Sequence, residues 1–226
     1  MTKAFKIITA LLLSLLMLTA AAPVSFALDD NEISDWAKEE VEKAKDFGLI
    51  PDELLCDYRK GITREELAVI AVNLLKMSKN YPDDMNTIDV EDPKDIAEIK
   101  NAEYTEAVRT ALKYELMTLD ENGNFNPGKV MTRDEGAEYL GGLYGGWRTG
   151  WKLSQTANFL DKYVDDLDES IGARPGAWRV VYDFRIMRGV SERRLAPQSI
   201  FTREQYFVAI SRFINNELSG LGYPPQ

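Results

Sequence analysis

"GITREEL" (61–67), "VMTRDEG" (130–136) and "IFTREQY" (200–206) are the same phrase written three times. Each runs from an apolar residue through Thr-Arg to an acid and then to a second acid or amide. Thr63, Thr132 and Thr202 lie 69 and 70 residues apart. Counted from its own Thr, each phrase is followed by apolar or small residues at offsets 4, 7, 8, 11 and 12. These are Leu67, Ile70, Ala71, Leu74 and Leu75; then Gly136, Tyr139, Leu140, Leu143 and Tyr144; then Tyr206, Ala209, Ile210, Phe213 and Ile214. That spacing predicts one amphipathic helix, occurring three times.

The Thr and the residue three places on explain where each helix begins. Thr followed at the third position by Glu66, Glu135 or Gln205 is a capping box, in which two orphan backbone donors are satisfied reciprocally. Glu65, Asp134 and Glu204 put negative charge in the first turn, where the helix dipole favours it. The Arg fits neither role, because a cation at a helix start opposes the dipole.

A second helical pattern precedes each cap. "SDWAKEEVEKAKDFGLI" aligns Ala37, Val41, Ala44 and Gly48, with Ser34 or Asp35 as its cap. "EYTEAVRTALKYELM" repeats the spacing with Tyr104, Val108, Ala111 and Glu115, and "GAWRVVYDFRIM" with Trp178, Val181 and Tyr182 after Pro175. The predicted unit is helix, connecting loop, capped helix. Pro127 and Pro197 stand five residues before their Thr; the first copy lacks this Pro and is the divergent one. Residues 78–95 and the Gly-rich 141–156 read as linkers, the glycines weakening the end of the second capped helix. Trp147 and Trp151 there read as packing anchors rather than sugar platforms.

Composition narrows the function. Residues 1–27 have Lys3 and Lys6, an apolar run from Ile7 to about Ala22, and a small-x-small site at Ser25-Phe26-Ala27, the pattern of a cleaved secretory signal peptide. The run is shorter than the roughly 20 residues a spanning helix needs. The chain from Leu28 on carries 25 basic against 37 acidic residues, which disfavours nucleic acid and anionic membrane as partners. It contains no His and a single Cys, Cys56, so Ser-His-Asp and Cys-His nucleophiles are excluded and no intramolecular disulfide forms. Asp120, Asn122 and Asn124 begin like a calcium loop, but Phe125 and Met131 occupy the positions of its turn Gly and bidentate Glu. No catalytic residue, cofactor or metal is expected. The acidic run at 161–170 reads as a solvated face, which leaves a carboxylate-only glycan hydrolase as a minor reading.

The phrases "DWAKEEVEKAKDFGLI…ITREE", "YTEAVRTALKYELM…GNFNPGKVMTRDE" and "FLD…VVYDFRIMRGV…LAPQSIFTREQ" resemble S-layer homology modules in three tandem copies. The resemblance implies an all-α fold in which three helix-loop-helix modules form a pseudo-threefold assembly. Their boundaries fall at 28–80, 81–150 and 151–220, after a signal peptide at 1–27 and before a tail at 221–226. It further implies a secreted, non-enzymatic protein of a Gram-positive-type cell surface that binds secondary cell-wall polysaccharide, often pyruvylated. By the same resemblance the ligand-binding residues are Arg64, Arg133 and Arg203 of the repeated phrase, Trp36 from "DWA" and Asp161 from "FLD". The alternative is a degenerate set of modules that serves protein interaction or envelope assembly. Planar guanidinium forks at three helix starts suit carboxylate or hydroxyl groups of a glycan.

Overall fold

The computed structural model describes residues 29–77, 90–147, 166 and 175–218. The described residues are all-α, with six helices: α1 (Lys38–Asp46), α2 (Arg64–Met77), α3 (Ala102–Lys113), α4 (Arg133–Trp147), α5 (Pro175–Asp183) and α6 (Arg203–Leu218). Each Thr-Arg phrase opens a helix, as its capping chemistry requires. Thr63 N–H donates to Glu66 Oε2 at 3.1 Å, and Glu66 N–H returns the bond to Thr63 Oγ1 at 3.4 Å. Thr132 and Glu135 repeat the exchange at 2.9 and 3.2 Å. In the third copy Gln205 N–H donates to Thr202 Oγ1 at 3.4 Å, while the Gln205 side-chain oxygen accepts from Arg133 instead.

The first helix of each copy ends on a left-handed residue: Gly48 (φ 67°), Glu115 (φ 55°) and Arg185 (φ 55°). Leu116 N–H reaches back to Ala111 O at 2.8 Å, which closes the last turn of α3 as a Schellman end does. A second left-handed residue recurs in each loop: Asp57 (φ 50°), Asn126 (φ 57°) and Ala196 (φ 51°). The first copy therefore has the same loop backbone as the others, with Tyr58 standing where Pro127 and Pro197 stand.

The capped helices are buried more completely than one stripe requires. In α2, Leu67 through Val72, Leu74 and Leu75 are all buried, and in α6 so are Tyr206 through Ser211, Phe213 and Ile214. The extra burial has a physical cause. α2 packs against α3 and α6 against α1, so each capped helix is covered by the first helix of the following copy, taken in cyclic order. α4 packs against α5 in the same way. Gly141 sits at that contact, where an added Cβ would lie 2.8 Å from the Ala177 backbone. The Gly-rich stretch expected to open a linker at residue 141 thus continues α4 to Trp147, and Gly141 lets two helices approach.

The start of α1 also differs from expectation. Ala37 is its N-cap, without a side-chain bond. Ser34 is held instead by α6: its N–H and Oγ donate to the Glu204 carboxylate at 3.0 and 2.9 Å. Among the described residues Trp147 lies in α4, while Trp151 falls outside them.

The three caps are bonded to one another. Ile62 N–H donates to Phe201 O, Phe201 N–H to Met131 O, and Met131 N–H to Ile62 O, each at 2.9 Å. Gly61 pairs with Thr202, Thr63 with Val130, and Thr132 with Ile200 as isolated antiparallel bridges, so the pairings close on themselves. Each helix start also takes carbonyls from the loop of the next copy. Arg64 and Glu65 N–H donate to Lys129 O and Pro127 O, Arg133 and Asp134 to Ser199 O and Pro197 O, and Arg203 and Glu204 to Lys60 O and Tyr58 O, at 2.9–3.1 Å. Orphan donors of three helices are thereby satisfied by main chain.

Candidate functional site

The repeated Arg points across the same seams. Arg64 Nε donates to Phe125 O at 2.7 Å and Nη2 to Thr118 O at 2.8 Å. Arg133 Nε donates to Leu195 O at 3.0 Å, Nη2 to Arg188 O at 2.7 Å and Nη1 to Gln205 Oε1 at 3.3 Å. Arg203 Nη1 donates to Cys56 O at 3.1 Å, and its Nη2 meets Glu66 Oε1 at 2.6 Å. In all three cases a guanidinium fork crosses from one copy to the loop of the next: Arg64 and Arg133 each hold two main-chain carbonyls there and Arg203 holds one. This accounts for a cation at a helix start: the bonds to the neighbouring loop offset the unfavourable dipole term.

The environments of the three arginines differ. Burial lowers the pKa of Arg64, with Glu135, Asp120 and Asp95 acting against the shift. Burial also disfavours the charge on Arg203, but the Glu66 carboxylate outweighs it and raises the pKa. Arg133 is the most enclosed, at 5 % exposure, with its guanidinium carbon 6.0 Å from the Trp178 ring centre.

The acids of the repeated phrase hold the following copy as well. Glu65 Oε2 accepts from Lys100 N–H at 2.9 Å, Asp134 Oδ1 from Trp178 Nε1 at 2.6 Å, and Glu204 from Ser34. Two further carboxylates, which sequence reasoning missed, clamp the loops. Asp95 accepts from Phe125 and Asn126 N–H at 2.8 and 2.7 Å, and Asp166 from Leu195 and Ala196 N–H at 3.1 and 2.6 Å. Their nearly constant interval to Pro127 and Pro197 was the available signal. Asp161, expected to bind ligand, lies outside the described residues. The calcium-like loop is closed by hydrogen bonds: Asp120 Oδ1 accepts from Asn122 and Asn124 N–H, and Oδ2 from Asn126 Nδ2.

A cavity of about 360 Å³ opens beside Arg133. The loop after α5 (Ile186–Val190) and the α6 residues Gln205, Val208 and Arg212 form its walls, and Trp36 stands at its lip, 55 % exposed. Trp36 comes from the turn ahead of α1, the helix that packs on α6. Two of the five residues expected to bind ligand, Trp36 and Arg133, are thus brought together, whereas Arg64 and Arg203 occupy the other two seams. An exposed indole beside guanidinium groups can stack on a sugar ring while its polar substituents are hydrogen-bonded. Among the described residues no helix is long and apolar enough to cross a membrane, and no group of three metal-ligating side chains occurs.

Comparison with curated proteins finds no match. Residues 94–136 match the S-layer homology domain, a stretch that runs from the Asp95 clamp through α3 and its loop to the capping box at α4.

Proposed function

We propose that this is a secreted cell-surface protein that binds secondary cell-wall polysaccharide noncovalently through three S-layer homology-like modules. S-layer homology domains are binding modules that generally take cell-wall polysaccharide, and one such domain matches residues 94–136. The observation that carries the extension to three modules is the recurrence of that segment's bonds. The cap, the left-handed loop residue, the crossing Arg and the acid reaching into the following copy also occur around Thr63 and Thr202. The modules are assigned to 28–80, 81–150 and 151–220, in a pseudo-threefold arrangement, with residues 1–27 as a signal peptide.

In this reading the cavity lined by Trp36 and Arg133 is a glycan groove, and the ligand is an anionic wall polymer of the pyruvylated kind. The test is co-sedimentation of the exported chain with purified wall sacculi, before and after their secondary polysaccharide is stripped. Depletion from the supernatant only by unstripped walls is the expected result. Equal binding to both preparations points to a protein or peptidoglycan partner, and no binding to either removes the proposal.

A further inference from the structure

The cavity beside Arg133 contains two cations that the repeated phrase does not supply. Arg188 follows the left-handed residue of its copy by three positions, and Arg212 lies nine residues into α6 from Arg203. Both line the cavity. Neither guanidinium makes a hydrogen bond or an ion pair with a described residue. Burial pushes the Arg212 pKa down and the charge of Arg188 pushes it further, with Glu40 acting in the opposite sense. Glu40 is already engaged, accepting from Ser211 Oγ at 2.6 Å. Two like charges facing one cavity, one of them half-buried, form an arrangement that a bound anion would relieve.

The other two copies lack this arrangement. Pro51 and Thr118 take the place of Arg188, Asn73 and Gly142 that of Arg212, and Glu66 and Glu135 that of Gln205. Asn73 is spent on Leu49 O at 3.0 Å. Where the third copy presents two cations and an amide, the others have neutral residues at the first two positions and, at the third, a carboxylate already paired with Arg203 or Lys129. The motif arginines, meanwhile, direct donors at carbonyls across the seams.

Building on the wall-binding reading, we infer that glycan binding is confined to the groove of the third copy. There Arg188 and Arg212, rather than the three arginines of the repeated phrase, hold an anionic substituent of the polymer. The substituent is a carboxylate or a phosphate, since a guanidinium pair recognises either. Trp36 supplies the stacking face.

Isothermal titration of the exported chain with wall-polysaccharide fragments tests this. The fragments are used untreated, after carbodiimide amidation of carboxylates, and after hydrofluoric acid removal of phosphates. One site per chain is expected, with affinity falling at least about tenfold after the treatment that removes the recognised group. Arg188→Gln and Arg212→Gln should each cause a similar loss, Arg212→Lys should retain part of the affinity, and Asn73→Ala and Thr118→Ala should be neutral. Helical circular dichroism should be unchanged, as neither Arg side chain has a hydrogen bond to a described residue to lose. Two or three sites per chain, full affinity after both chemical treatments, or parent-like binding by the double Gln variant each overturns the inference. Sedimentation with sacculi but no binding to any fragment overturns it while the wall-binding reading stands. Failure to sediment removes both.

Discussion

Single residues decide how closely the three copies approach. Gly61 lies in the ring of cap pairings, where an added Cβ would stand 2.3 Å from Val130 Cγ1 and 2.6 Å from Ile200 Cγ2. Gly61→Ala is therefore expected to destabilise the protein by roughly 1–3 kcal/mol, the usual range for overpacking, measured as a lowered urea midpoint. Glu135 gives a pH signature. Burial alone would raise its pKa, but Lys129 and the Thr132 N–H more than offset this and hold it below the usual glutamate range. A carboxyl with a depressed folded pKa stabilises the fold at pH values above its unfolded pKa, and that contribution is lost as pH falls through the folded pKa. Thermal stability should thus decline from about pH 4.3 downward. Glu135→Gln should lower the midpoint at pH 7 and flatten the acid limb; parallel pH profiles for the two proteins would rule the pairing out.

At the scale of elements, the capped helices have unequal starts. Thr132 and Glu135 make both bonds of the capping box, whereas Thr202 makes one and Gln205 serves Arg133. Replacing Thr132 by Ala should cost about 0.5–2 kcal/mol, seen in chemical denaturation, and should leave the cavity intact. Thr202→Ala removes the same hydroxyl from a half-formed box and should cost no more. Propensity reasoning failed at α4, where Gly141 was read as the start of a linker. Gly is unfavourable in an isolated helix, yet here its missing side chain lets α5 pack close.

At the scale of the molecule, a closed set of seams links the first copy to the third as it links adjacent copies. The Arg203–Glu66 pair spans that closing seam at 2.6 Å, with side chains 12 % and 9 % exposed. Removing one partner of an enclosed pair leaves an uncompensated charge, so Arg203→Ala should cost about 3–5 kcal/mol. Adding Glu66→Gln should recover part of the loss, because the stranded carboxylate is then neutral. A double-mutant cycle followed by thermal unfolding measures the coupling. A coupling energy near zero would show that the seam is held by its backbone bonds alone.

The repeat, the starts of the three capped helices and the all-α class were legible in the sequence because capping and apolar spacing are local chemistry, written within one turn of each Thr. The loop clamps were only half legible. Asp95 and Asp166 lie about thirty residues from the backbone they hold, and nothing nearby distinguishes them from other acids in an acidic chain. The sequence also showed that the repeated Arg needed a purpose beyond its own helix, but not which carbonyls it would meet. Those belong to the next copy, and only the ring of cap pairings brings them within reach. Of the candidate groove, the sequence pointed to Trp36 and Arg133. Arg188 and Arg212 were invisible to it, because each occurs in a single copy and repeat reasoning sees only what recurs. Tertiary packing alone places a loop, a helix face and the turn before α1 around one cavity, because α6 is covered by the helix from the opposite end of the described chain.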